Sequence, residues 1–159
     1  MKKKFESGFL NNKRDLVISN KNANKNQQGE QIMVEDTKCS CGSANVAIFP
    51  CVGASNVGQL SNKVAIELEQ QNFGNLMCTV GIGARAPGLM KSAEASERII
   101  AIDGCPVNCA RKTLELAGFK VDRHIVISEL GIKKNKDKNL KDNEISEALE
   151  KTLEKLQSE

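Results

Sequence analysis

Three cysteines recur at equal intervals along this chain, and this repeat restricts its fold more than any other feature. Cys51, Cys78 and Cys105 are each separated from the next by 27 residues. Each cysteine also comes at or close to the end of a short apolar run, in the sequences FPC, LMC and IDGC. One strand, loop and helix of a β-α-β unit takes roughly 25–30 residues. The spacing therefore predicts that one structural position, the C-terminal end of a strand, occurs three times.

Short apolar runs alternate with helical patterns after residue 44, which is the arrangement of repeated β-α-β units. The predicted strands are Asn45–Pro50, Asn75–Val80, Arg98–Asp103 and His124–Leu130. The predicted helices begin near Ser55, at Pro87 and at Pro106, and an amphipathic terminal helix carries Ile145, Leu149, Leu153 and Leu156. We therefore predict an α/β fold with three layers, α/β/α, and a mainly parallel sheet of about four strands. A strand order of 2-1-3-4 would place Cys51 between Cys78 and Cys105.

Cysteines at one edge of such a sheet would suit a tetrahedral zinc ion. Neighbouring strands lie about 4.8 Å apart, and zinc–sulfur bonds of about 2.3 Å require sulfur atoms roughly 3.7–3.8 Å apart. Cys109 adds a fourth thiol, four residues after Cys105 and on the same face of the predicted helix. Cys105 falls at the N-cap of that helix, where the helix dipole favours negative charge. The candidate metal ligands are accordingly Cys51, Cys78, Cys105 and Cys109.

The same thiols allow other functions, and the sequence leaves these open. Four thiolates also hold iron–sulfur clusters, whereas a reactive Cys105 paired with Cys109 would support thiol redox chemistry. Any one cysteine taken alone is more often an inert buried residue. Cys39 and Cys41 form either an exposed pair or an auxiliary metal or redox pair. A closed four-cysteine zinc site has no open coordination position, which argues against hydrolysis. The residues do not decide whether the chain is an enzyme.

Glycines near the predicted strand ends suggest a third class of function, the binding of a small anion through backbone N–H groups. Asp103 and Gly104 are the candidate cofactor-binding residues, because they join the third predicted strand to Cys105. An Asp at such a position is also typical of a simple turn. His124, the single histidine, begins the fourth predicted strand. We expect it at the opposite edge of the sheet from the cysteines.

The charge pattern separates an N-terminal extension from the rest of the chain. Residues 1–37 are predicted to be a disordered or loosely docked extension rich in Asn and Lys, and residues 38–159 a single domain. Residues 1–30 carry a net charge of +4, whereas the whole chain carries +3. Domains that bind nucleic acids usually carry a stripe of basic residues and aromatic side chains. Here the net positive charge lies in residues 1–30, and only 3% of the chain is aromatic. We therefore expect no nucleic-acid partner.

Neither a membrane span nor a secretion signal is visible in the sequence. No apolar run approaches the roughly 18 residues of a transmembrane helix. The start of the chain, MKKKFESGFLNNK, has positive charges but no apolar core of a signal peptide. We therefore expect a cytoplasmic protein with no membrane partner, in a compartment that keeps thiols reduced.

Three segments in order resemble the DGC-domain family, whose members are described as zinc-binding proteins. The segments are CVGASNVGQLSN, CTVGIGARAPG and ERIIAIDGCPVNCARKTLE. The family is named after the Asp-Gly-Cys found here at residues 103–105, and the resemblance covers about residues 46–127. It implies that the four potential chelating residues are Cys51, Cys78, Cys105 and Cys109, and it implies no particular reaction. Val52 stands where many relatives carry Ser.

Overall fold

The computed structural model describes residues 45–158. The predicted extension and the pair Cys39 and Cys41 lie outside the described residues. The elements are β1 (Val46–Pro50), α1 (Asn56–Gln70), β2 (Asn75–Leu76), α2 (Thr79–Gly83), α3 (Pro87–Glu94), β3 (Arg98–Asp103), α4 (Cys109–Leu116), β4 (Arg123–Val126), a 3-10 turn (Ile127–Leu130) and α5 (Asp142–Gln157). Strands and helices alternate along this part of the chain, as the spacing of the cysteines predicts.

The four strands form one sheet in the order β2-β1-β3-β4, and each neighbouring pair is parallel. The predicted α/β class is therefore confirmed, and the strand order is the 2-1-3-4 arrangement considered from the sequence. The central pair is in register over its whole length, with Pro50 opposite Ile102. Beyond that pair, the backbone N–H of Cys51 donates to the carbonyl of Ile102 at 2.8 Å. The chain thus remains tied to the sheet as it leaves β1.

Two apolar cores, one on each face of the sheet, give the molecule its three layers. Successive strand residues alternate between the faces, so the two cores take alternate residues of β1 and β3. The core under α1 and α5 includes Val46, Ile48, Ile100, Ile102, Val57, Leu60, Val64, Leu68 and Ala148. The core under α2, α3 and α4 includes Ala47, Phe49, Ile99, Ala101, Ile82, Ala93, Ala110 and Leu114. Both faces are covered, which explains why the two central strands, β1 and β3, carry continuous apolar runs.

Three element boundaries differ from the prediction by three residues or more, and two of them lie beside cysteines. The second strand ends at Leu76 instead of Val80, because Cys78 becomes the N-cap of α2. Helix α4 begins at Cys109 instead of Pro106, because Asn108 has a left-handed backbone with φ of 57°. Cys105 therefore precedes the helix instead of capping it. The fourth strand ends at Val126 and continues as the 3-10 turn.

None of the helices described here, between residues 45 and 158, is long and apolar enough to cross a membrane.

Candidate functional site

Four cysteines follow the C-terminal ends of three neighbouring strands. Cys51 comes directly after β1, Cys78 two residues after Leu76, and Cys105 two residues after Asp103. Cys109 is the first residue of α4. Because the strands are parallel, their C-terminal ends lie at the same edge of the sheet. We call this edge, with its four cysteines, the thiol edge.

Two adjoining cavities open at the thiol edge. The first has a volume of about 790 Å³ and is lined by three of the thiols, those of Cys51, Cys78 and Cys109. The second has a volume of about 570 Å³ and is lined by Cys51, Cys105 and Cys109. Gly53 also borders both cavities. Cys51 and Cys109 therefore form a shared wall, with one further thiol in each cavity.

Cys51 is a half-buried thiol with a raised pKa. Burial raises the pKa of Cys51, and the negative charges of Asp103 and Cys109 raise it further. Backbone N–H groups of Gly104 and Gly53 donate to its sulfur and act in the opposite direction. Since burial is the largest of these effects, Cys51 carries its proton at neutral pH more fully than an ordinary thiol does.

Alkylation should therefore distinguish Cys51 from the exposed thiols of Cys78 and Cys109. We expect iodoacetamide to modify Cys51 more slowly than Cys78 and Cys109 at pH 7, because the thiolate is the nucleophile. The rate at Cys51 should also rise with pH through a midpoint above the ordinary thiol value of about 8.5. Peptide mass spectrometry after timed quenching measures each rate, and unfolding in urea should abolish the difference. A midpoint for Cys51 at or below the ordinary thiol value would contradict the buried environment described here.

The other two strand-end thiols each accept a hydrogen bond from a different element. The sulfur of Cys78 accepts from the backbone N–H of Gly81 at 3.4 Å, within the first turn of α2. The sulfur of Cys105 accepts from Nζ of Lys134 at 3.3 Å. Lys134 belongs to the segment that follows the 3-10 turn, so the C-terminal part of the chain contributes a positive charge to the thiol edge.

Asp103 and His124 form a hydrogen-bonded pair behind the cysteines. Nε2 of His124 lies 3.0 Å from Oδ2 of Asp103, whose carboxylate also accepts from the backbone N–H groups of Ala110 and Arg111 at 2.8 and 3.1 Å. The expectation that His124 lies at the far edge of the sheet is wrong. In the parallel register His124 pairs with Ala101, only two residues before Asp103, and its side chain reaches the carboxylate.

The structure gives Asp103 and Gly104 contacts within the protein. Asp103 is buried and supplies acceptors for the first turn of α4, whereas Gly104 donates its N–H to Cys51 and lines the second cavity. That either residue binds a cofactor stays a prediction.

A basic loop is held against the thiol edge by Asn56, the first residue of α1. Its side chain donates from Nδ2 to the carbonyl of Lys133 at 2.9 Å and accepts at Oδ1 from the N–H of Asn135 at 2.7 Å. Its own backbone N–H donates to the carbonyl of Asn135 at 3.2 Å. The sequence suggests only a solvated charged loop here, because nothing in the pattern KKNKDKN shows that it returns to the start of α1.

The donor chemistry of the thiol edge fits zinc, but the side chains are not assembled around a metal position. Thiolates are the preferred ligands of structural zinc sites, and four thiols border the two cavities. Among residues 45–158, however, no group of three His, Cys, Asp or Glu side chains is close enough together to hold a metal ion. Binding one ion through all four cysteines would therefore require their side chains to move towards one another.

Comparison with known proteins identifies the family of the chain. The family model named DGC domain matches residues 47–152. The chain is also 34% identical over 87 residues to the Anaerobic and virulence modulator AnvM of Pseudomonas aeruginosa strain PAO1. That alignment covers 55% of this chain and 66% of AnvM, just under two thirds of the relative's length. No solved structure matches the chain. Since the family model spans most of the described elements, from β1 into α5, the chain belongs to the DGC-domain family.

Proposed function

We propose that this protein binds one zinc ion through the thiol edge. Cys51, Cys78, Cys105 and Cys109 would be the ligands, and bound zinc would supply a permanent cross-link between the strand ends. The observation that carries the proposal is the shared wall, because Cys51 and Cys109 border both cavities and each cavity adds one more thiol.

Hydrogen-bond donors at two of the sulfurs support a site for metal-bound thiolates. Cys78 accepts from the N–H of Gly81, and Cys105 accepts from the Lys134 ammonium. Such donors compensate the negative charge that zinc ligands carry. His124 is already paired with Asp103 and is not required as a ligand.

Zinc affinity of single-cysteine variants tests the proposal. The reduced, metal-free, full-length protein is titrated with zinc in competition with a chromophoric chelator, and cobalt absorption reports thiolate coordination independently. We expect one zinc per chain. Replacing any one of the four cysteines by serine should lower the affinity roughly a hundredfold, since four ligands share about 10–16 kcal/mol of binding free energy. Cys39→Ser is the matched control and should leave the affinity unchanged.

Three results would overturn this assignment. Failure of the wild-type chain to bind zinc would exclude the metal site directly. An equal loss in Cys39→Ser and Cys78→Ser would show that the four strand-end cysteines are not the ligand set. Iron with acid-labile sulfide in protein purified without oxygen would assign the same thiols to an iron–sulfur cluster.

A further inference from the structure

The two cavities at the thiol edge differ sharply in charge. No charged side chain lines the first cavity within the described residues, and its outer wall is apolar, formed by Leu76, Met77 and Val80. The second cavity is lined by Lys134 and Lys136, with no acidic residue among its described lining residues. The shared wall of Cys51 and Cys109 therefore separates an apolar compartment from a basic one.

The basic compartment is a fixed part of the fold. Asn56 is buried and makes three hydrogen bonds to the segment 133–135, which holds the lysines on either side of Asn135 at the cavity. Asn135 in turn accepts at Oδ1 from the N–H of Asp137 at 2.9 Å. An ammonium group has three N–H donors, and the contact with Cys105 uses one donor of Lys134.

Exposed apolar side chains surround both openings. Val52 and Val80 line the first cavity and Val107 the second, and all three are among the large hydrophobic residues exposed in the described part of the chain. Clustered exposed apolar groups beside a cavity are typical of a binding site. The volumes of the two cavities also lie in the range of small-molecule sites, roughly 300–1,000 Å³.

We propose that the two cavities together bind a small amphipathic anion. Its anionic head, a carboxylate or a group of similar charge, would lie between Lys134 and Lys136. Its apolar tail would extend along Cys51 and Cys109 into the first cavity and lie against Met77 and Val80. The charge of the second cavity selects the head and the apolar wall of the first selects the tail, so a ligand with only one of these parts would bind weakly. This inference does not depend on the zinc proposal.

Calorimetric titration of the reduced, metal-free, full-length protein with octanoate tests the inference. We expect one octanoate per chain, with acetate and octylamine each bound at least about tenfold more weakly, since each lacks one of the two required parts. The double variant Lys134→Gln, Lys136→Gln should weaken octanoate binding by about tenfold or more. The double variant Lys91→Gln, Lys120→Gln makes the same change in net charge away from both cavities and should have little effect.

A second matched pair tests the apolar wall. Val80→Ser should weaken octanoate binding about threefold or more, because the tail loses apolar contact. Leu116→Ser should not, although Leu116 is as exposed as Val80, at 80% against 77%, since it lines neither cavity. Both positions are exposed, so neither variant threatens the core.

Either of two results would overturn the inference. Binding of octanoate no tighter than that of acetate would exclude the apolar compartment. Equal losses of octanoate affinity in the two lysine double variants would show that the net charge of the protein, and not the second cavity, determines binding. Zinc affinity is measured separately. A protein that binds octanoate but no zinc would refute the zinc proposal alone. A protein that binds zinc but no octanoate would refute the amphipathic-anion proposal alone.

Discussion

Replacing Asp103 by alanine is expected to lower the free energy of unfolding by about 3–5 kcal/mol, as breaking a buried charged hydrogen-bond network does. The side chain of Asp103 is 1% exposed, and its two oxygens accept from Ala110, Arg111 and His124. Alanine would leave two backbone N–H groups at the start of α4 and one ring N–H without their acceptor. Chemical denaturation with urea, followed by circular dichroism, measures the loss.

The size of this effect follows from what Asp103 does for α4. Asn108, the residue before the helix, makes no side-chain cap, so the carboxylate from the end of β3 takes the place of the usual N-cap acceptor. It lies near the positive end of the helix dipole, where a negative charge is favourable. One residue therefore ties β3, α4 and β4 together.

Asp122→Ala is the matched control for this prediction. Asp122 is about one-third exposed, and one of its oxygens accepts a hydrogen bond from the N–H of Ile99 at 2.8 Å. Its removal should cost about 1 kcal/mol. Asp103→Asn should fall between the two, because it keeps the shape of the side chain but only one acceptor oxygen. Equal losses in Asp103→Ala and Asp122→Ala would contradict the network described here.

The overall fold was predictable because its information is local and repeated. The third strand, Arg98–Asp103, has the predicted bounds, since the four apolar residues 99–102 lie between a polar stretch and an Asp-Gly turn. Both faces of the sheet are covered, so the two central strands carry continuous apolar runs, and the 27-residue interval between cysteines reflects one strand and one crossover. Such a repeated local pattern can be recognised in a single sequence.

The details of the site depend on contacts between distant residues, and these were not predictable. The hydrogen bonds between Asn56 and Asn135 join residues 79 positions apart, and no periodic signal marks either one. The late start of α4 depends on the left-handed conformation of Asn108 and on acceptors supplied by Asp103. The position of His124 depends on the register between β3 and β4, which turns a residue near the start of a strand towards the carboxylate.

Gly104→Ala is the second substitution from which we expect a large loss, about 3 kcal/mol or more in the free energy of unfolding. A Cβ atom at Gly104 would lie 2.6 Å from the backbone nitrogen and 2.7 Å from the Cα of Gly58, in the first turn of α1. A Cβ at Gly58 would in turn lie 2.7 Å from the carbonyl oxygen of Gly53. The obstructing atoms belong to backbone, so they cannot move aside as a side chain would, and overpacking of this kind is costly.

The consequence of this substitution should extend to the thiol edge. The backbone N–H of Gly104 donates to the sulfur of Cys51, so displacing Gly104 from α1 removes one of the two donors at this half-buried thiol. Gly88→Ala is the matched control, because no atom lies within 4 Å of its Cβ position and alanine favours a helix by up to about 1 kcal/mol. Urea denaturation should therefore separate the two variants by about 3–4 kcal/mol. Similar stabilities of Gly104→Ala and Gly88→Ala would show that α1 does not approach Gly104 as closely as described. That result would refute the close packing of Gly53, Gly58 and Gly104 beside Cys51.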